Sequence, residues 1–290
     1  MKTYPECIPC FINQGLNATI KLSLGRDKRK EVAVKSLKII STFNSFDRSP
    51  AYYAYFVQKV VKELTCVEDP FYSLKKKANK IALEIYDEVL KKKPLNMDDL
   101  EWSIKLSAIG NAIDFAIKGE FSIEEDIEAL LEKEFAVNHI RDFKRLLDKS
   151  KKVMIIGDNA GEIVFDKHLV EVLKEFGKEV IYGVKGKPIL NDALFDDALE
   201  SGIVELCKVV DNGSDKIGTW LDDCKSEFIE EFSSADIIIS KGQANYETLN
   251  EIKDKDIFFI LQAKCDPIGR ENGVKKGDLI FKYNRKILIE

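Results

Sequence analysis

KKVMIIGDNAGEIVFD, Lys151–Asp166, decides the fold. Val153 to Ile156 is an unbroken apolar run led by lysines, the signature of a strand buried on both faces. Gly157 ends the run, Asp158 and Asn159 fall where the chain must turn, and Glu162-Ile163-Val164-Phe165 opens a helix. A strand that ends in Gly-Asp-Asn and feeds a helix sets a carboxylate and an amide at the C-terminal edge of a parallel sheet. Open α/β sheets bind their ligands at that edge.

Toward the C-terminus the same alternation continues. Strands are expected at Glu179–Val184, at Ile203–Val210 in part, at Ala235–Ser240 (ADIIIS) and at Ile257–Leu261 (IFFIL), with an edge strand at Asp278–Tyr283. Helices are expected to Phe176, through Leu199 and over Ser226–Phe232. Strand-helix alternation implies a mostly parallel sheet with right-handed crossovers.

Toward the N-terminus the period changes to that of helices. Cys10–Leu24, Asp27–Phe46, Ala51–Leu64, Phe71–Lys91, Leu100–Ile117, a segment opening at Ser122 and Val137–Asp148 all read as helix, and no strand is evident. Pro50 and Pro70 stand just inside helix starts. The expected organisation is an all-helical domain over 1–148 followed by an α/β domain over 149–290.

The chain has 290 residues, a net charge of −5 and 45% hydrophobic residues, which describes a soluble globular protein with ample core. Phosphate-backbone binders need a basic surface, so nucleic acid is not the expected partner. No apolar stretch reaches the roughly 20 residues that span a bilayer, and MKTYPECIPC lacks the apolar segment of a signal peptide. The expected location is the cytoplasm.

Four polar loops follow the carboxyl ends of expected strands: Gly157-Asp158-Asn159, Lys185 to Asp192, Lys241-Gly242-Gln243-Ala244-Asn245, and Lys264-Cys265-Asp266. In a parallel sheet they share one rim. Their carboxylates and amides suit a hard divalent cation, and their lysines and N–H groups suit phosphate. Together these point to metal-assisted phosphoryl chemistry. Each loop alone is more readily a structural turn, because Asp and Asn bond their own backbone there. GDNAGE also lacks the spacing of a dinucleotide fingerprint. Cys7 and Cys10 form one C-x-x-C pair, two ligands where a structural zinc needs four. Buried or locally structural thiols are the simpler reading, with a redox role as the alternative.

GDNAGEIVFD, the KGKPILNDA segment, ADIIISKGQANYETL, the N-terminal CIPC and GNAIDF at 110–115 together resemble the DUF89 family of metal-dependent, damage-control phosphatases, in its stand-alone prokaryotic branch. The resemblance implies a helical domain packed on a Rossmann-like α/β domain, with one divalent ion (Mg²⁺, Mn²⁺, Co²⁺ or Ni²⁺) between protein and substrate phosphate. By it, Asp158, Asn159 and Asp192 are the metal ligands. Lys241, Gly242, Gln243, Asn245 and Lys264 bind phosphate, and Glu162 matches the family's glutamate. Asn111 and Asp114, polar on an otherwise apolar helix, are either substrate contacts from the helical part or a buried hydrogen-bonded pair.

The expected function is hydrolysis of a small phosphorylated metabolite, with Asp158, Glu162 and Lys241 carrying the chemistry. On this reading Lys241→Ala costs on the order of a hundredfold in turnover and spares metal affinity. Two rivals stand beside it: an S-adenosylmethionine-dependent carboxyl methyltransferase, and a non-catalytic metal- or metabolite-binding module. Oligomeric state is not legible.

Overall fold

The structure, a computed structural model, describes residues 1–113 and 120–285. Strand β1 (Phe135–Asn138) is followed by β2 (Lys152–Ile156), β3 (Glu179–Val184), β4 (Lys208–Asp211), β5 (Ile237–Lys241), β6 (Asp256–Gln262) and β7 (Leu279–Tyr283). Among the described residues they form one seven-stranded sheet of order β1-β7-β6-β5-β2-β3-β4. Every neighbouring pair is parallel except β6 with β7. The fold is α/β with a mostly parallel sheet.

The period of two in the central strands explains their apolar composition. Val153 and Ile155 of β2, with Ile237 and Ile239 of β5, enter one apolar layer, while Met154, Ile156 and Ile238 enter the opposite one. The first layer is covered by α5 (Asp99–Ala112), α7 (Ile140–Lys149), α8 (Glu162–Glu175) and the short α9 (Phe195–Ser201) and α10 (Ile203–Leu206). The second is covered by α11 (Ser226–Ser234), α12 (Gln243–Leu249) and α13 (Asp266–Asn272). With both faces covered, a strand has no reason to alternate polar residues.

The remaining helices are α1 (Cys7–Lys21), α2 (Arg26–Ile40), α3 (Pro50–Thr65), α4 (Tyr72–Leu90) and α6 (Glu120–Glu132). α4 and α6 share an apolar cluster with Trp102 and Leu106 of α5 and with Val164 and Phe165 of α8. α1 and α3 form a separate cluster that reaches the sheet's loops through Ile189 and Ile217. No described helix is long and apolar enough to cross a membrane.

Three expectations need correction. The stretch from 137 expected as helix begins with β1, which pairs parallel to β7; its four residues alternate between half-buried and exposed and are too few to establish a strand period. For the same reason β7 is an interior strand, and β1 is the edge. Residues 203–206 are helical, and only Lys208–Asp211 joins the sheet. We propose that the sheet-bearing unit begins near Phe135, ahead of the boundary expected at 149. The expected helix to Ile117 is α5 as far as Ala112; Asp114 lies outside the described residues.

Sheet order fixes where a ligand belongs. From β2 the chain winds outward through β3 to β4; it then returns to the other side of β2 as β5 and winds outward to β6. The order reverses between β2 and β5, the switch point at which open α/β sheets hold ligands. The loops leaving those two strands begin at Gly157 and Gly242.

Candidate active site

Backbone pairing brings the two aspartates together. Asn159 and Asp192 form an isolated bridge; Ala193 donates its N–H to Asp158 O at 2.8 Å, and Ala160 donates to Asn191 O at 2.9 Å. Asp158, Asn159, Asn191, Asp192, Gln243 and Lys264 line one wall of a cavity of about 210 Å³. Across from them stand Cys7, Cys10 and Phe11 of α1 and Pro50, Ala51 and Ala54 of α3. All four loops therefore meet at one cavity, roofed by the N-terminal helices.

Amides hold the carboxylates. Asp158 Oδ2 accepts from Asn159 Nδ2 at 2.7 Å and from Asn111 Nδ2 of α5 at 3.0 Å. Glu162 Oε2 accepts from the same Asn111 Nδ2 at 2.9 Å and from Asn159 Nδ2 at 3.2 Å. Lys185 is buried, with its ammonium 3.8 Å from Asp192 Oδ2. Burial, then the neighbouring Glu162 and Asp192, pushes the Asp158 carboxyl well above its usual range. Burial raises Asp192 too, against the pull of Lys185.

Lys241 faces away from the cavity. Its ammonium is fully buried, 2.6 Å from Glu162 Oε1 and 2.6 Å from Asp166 Oδ1. Asp166 also accepts from Ser107 Oγ at 2.5 Å and Tyr182 OH at 2.6 Å. Burial opposes the lysine's charge, and Asp166 and Glu162 more than offset it, raising its pKa. The phosphoryl contact expected from sequence would require this ammonium to leave both carboxylates. Glu162 is likewise 1% exposed, behind Asn159 and off the cavity wall.

The other expected residues divide between wall and scaffold. Lys264 is exposed on the cavity rim. Gln243 lines the cavity and donates to Glu247 Oε1 at 2.9 Å. Asn245 is buried and ties loops together: its amide donates to Gly157 O at 3.1 Å and Lys241 O at 2.8 Å, and it accepts from Thr219 at 2.8 Å. Gly242 has φ of 80°, and a Cβ there would land on the Asp158 carboxylate. Gly242→Ala is therefore expected to displace Asp158 and cost on the order of a hundredfold in turnover, read by steady-state kinetics.

Asn79 and Glu247 were not expected, and Lys185, expected only as one of the polar-loop lysines, is the buried neighbour of Asp192. Asn79 of α4 accepts from Gly161 N–H at 2.7 Å and donates to Asp197 at 2.9 Å, fixing the turn before α8. Glu247, seven per cent exposed, lines the cavity and accepts from Ala51 N–H at 2.9 Å. Burial pushes its carboxyl up to about 7 from 4.5. A folded-state pKa raised this way gives stability that is present below pH 4.5 and lost as pH rises through 7. Glu247→Gln is thus expected to flatten that decline and to raise the melting temperature at pH 8 by on the order of 5 °C, read by calorimetry across pH.

The donor set fits a hard cation. Asp158 and Asp192 are buried carboxyls with Glu162 beside them, and Lys185, Lys241 and Lys264 are the nearby cations that draw on them. Asp158, Asn159 and Asp192 offer oxygen ligands of the kind such an ion takes. The thiols of Cys7, Cys10 and Cys265 share the cavity wall. Among the described residues, no three His, Cys, Asp or Glu side chains stand together as metal ligands; the wall offers an ion two carboxylates and an amide instead.

Residues 3–280 match the damage-control phosphatase ARMT1-like domain. An uncharacterized protein of Methanocaldococcus jannaschii is 39% identical over 97% of this chain and 95% of that protein. A damage-control phosphatase of Pyrococcus horikoshii is 32% identical over 98% of this chain and 99% of its own length. The crystal structure of a DUF89 family protein from Pyrococcus horikoshii superposes with a TM-score of 0.89, covering 98% of this chain and 100% of that one. With this match from end to end, the chain belongs to the DUF89, or damage-control phosphatase ARMT1-like, family.

Proposed function

We propose that this protein is a metal-dependent phosphatase that hydrolyses a small phosphorylated metabolite in a house-cleaning role. The observation that carries the reading is the meeting of Asp158, Asn159 and Asp192 on one wall of the switch-point cavity, with Lys264 on its rim. The names of the Pyrococcus horikoshii and Archaeoglobus fulgidus relatives, both damage-control phosphatases, support it. The cavity's size suits a ligand below the drug-sized range of about 300–1,000 Å³.

On this reading Asp158, Asn159 and Asp192 hold one divalent ion, which when bound polarises a phosphoryl oxygen and lowers the pKa of water. Lys264 draws the phosphate to the rim and offsets charge gathering on its oxygens. Asn111 and Asn159 fix the orientation of Asp158 through Oδ2, leaving Oδ1 without a hydrogen bond among the described residues. Glu162 and Lys241 act from behind, holding Asn159 in place. The roof of α1 and α3 keeps water from the leaving group and bounds its size.

The test is a screen of phosphoesters, with p-nitrophenyl phosphate first, against Mg²⁺, Mn²⁺, Co²⁺ and Ni²⁺. Release of phosphate with at least one of these ions is expected. Metal binding with no turnover of any ester would favour a binding module instead.

A further inference from the structure

We propose that Glu247 is the subsite for a cationic amine at the end of the substrate remote from its phosphoryl group, so that the substrate is a small phosphoester bearing an ammonium. The inference rests on the phosphatase reading and deepens it by naming the substrate class. Glu247 belongs to α12 and lines the same cavity of about 210 Å³ as Asp158, Asn159 and Asp192. A ligand that fills this cavity meets the proposed cation site and Glu247 together.

Both oxygens of the carboxyl are set up as acceptors. Oε2 accepts from Ala51 N–H of α3 at 2.9 Å, and Oε1 accepts from Gln243 Nε2 at 2.9 Å. Lys264 N–H donates to the Gln243 oxygen at 3.2 Å, which fixes that amide with its nitrogen toward Glu247. Two donors on two oxygens favour the ionised form.

What the carboxylate lacks is a counter-ion. Among the described residues no lysine, arginine or histidine pairs with it; the cation that acts on it is the N-terminal ammonium of Met1. Glu251 already holds that ammonium at 2.7 Å. The other titratable neighbours are the thiols of Cys7 on α1 and Cys265 before α13, which bring no positive charge. Burial accordingly pushes the carboxyl up to about 7. A buried carboxylate oriented by two donors but unpaired in charge is costly, and the cavity beside it lets a ligand supply the cation. The charges then match end to end. The phosphoryl group takes the divalent ion and Lys264, the ammonium takes Glu247, and Phe11 and Ala54 offer apolar surface to the carbons between.

The full chain, loaded with the ion most active on p-nitrophenyl phosphate, is tested with 2-aminoethyl and 3-aminopropyl phosphate. Each is set beside the alkyl ester of the same length, n-propyl and n-butyl phosphate. The readout is the ratio of kcat/KM, amino over alkyl, in which titration of the phosphate, Asp158 and Asp192 acts on both esters alike and cancels. In the wild type at pH 8 the ratio is expected to reach roughly ten for at least one length. It should fall as pH drops through 7, where Glu247 takes a proton while the amine keeps its charge. Glu247→Gln is expected to bring the ratio near one at every pH, without lowering the melting temperature at pH 8. A wild-type ratio near one for both lengths, or a ratio unaltered in Glu247→Gln, would overturn the subsite. So would a lower melting temperature in that variant, by showing a counter-ion already present in the free protein. Turnover of p-nitrophenyl phosphate with none of either amino ester would overturn it too, leaving the phosphatase reading intact. If no ion gives turnover of any ester, the phosphatase reading is at fault, and calorimetric binding decides the subsite alone. Tighter binding of an amino ester than of its alkyl partner, lost in Glu247→Gln, then supports it; equal or absent binding overturns it.

Discussion

Replacing Lys241 by methionine is expected to lower the melting temperature by on the order of 10 °C. The ammonium is fully buried between Glu162 and Asp166, at 2.6 Å from each. Removing one member of a buried ionic cluster strands the others in a low-dielectric interior, at a cost of about 3–5 kcal/mol. Methionine keeps most of the volume, so the loss reports charge and not a cavity. Adding Glu162→Gln and Asp166→Asn to the methionine variant should recover much of the stability, since neither carboxylate that faced the ammonium then carries a charge. Calorimetry on the single and triple variants checks both statements. An unchanged melting temperature with turnover down a hundredfold would mean that the ammonium leaves its carboxylates and serves the phosphoryl group.

Asp158→Asn acts in the opposite sense on stability and more severely on activity. Asparagine keeps the shape and can still accept from Asn111 and Asn159, but removes a charge that burial and its acidic neighbours disfavour. Metal-free protein should melt no lower than the wild type, because Glu162 and Asp192 lose a repelling partner. Affinity for a divalent ion should fall by on the order of a hundredfold or more, since the ion loses one of its two charged ligands. Phosphate release should become undetectable over background. Titration calorimetry with Mn²⁺ beside phosphate assays separates the two effects. Wild-type metal affinity in this variant would remove Asp158 from the site.

How much of this the sequence shows can be traced residue by residue. β2, β3, β5 and β6 are legible because both sheet faces are covered and their residues are almost all apolar. β1 is not legible, because four residues alternating between half-buried and exposed are too few to establish a period in the sequence. α12 and α13, seven residues each, are too short for a helical stripe, although Pro267 at the start of α13 is a local sign of it. The meeting of four polar loops follows from parallel topology alone.

The direction of Lys241 was the less accessible part, yet a signal existed. Glu162 and Asp166 are four residues apart on α8, one face of one turn, directly after a buried strand. Lys241 continues the period of Ile237 and Ile239, whose side chains enter the layer that α8 covers. Two acids on the buried face of a helix demand a cation, and strand register supplies it. The cavity is not legible, because it depends on how α1 and α3 sit over the loops, a matter of packing between segments far apart in sequence.

The central claim is that one divalent ion, held by Asp158, Asn159 and Asp192, makes this protein a phosphatase. Chelated, metal-free protein titrated with Mn²⁺, while inorganic phosphate release from p-nitrophenyl phosphate is followed, tests it most directly. The account predicts no release without metal, and release that saturates at one ion per chain. Full release from the metal-free protein, or saturation unaltered in Asp158→Asn, would contradict it.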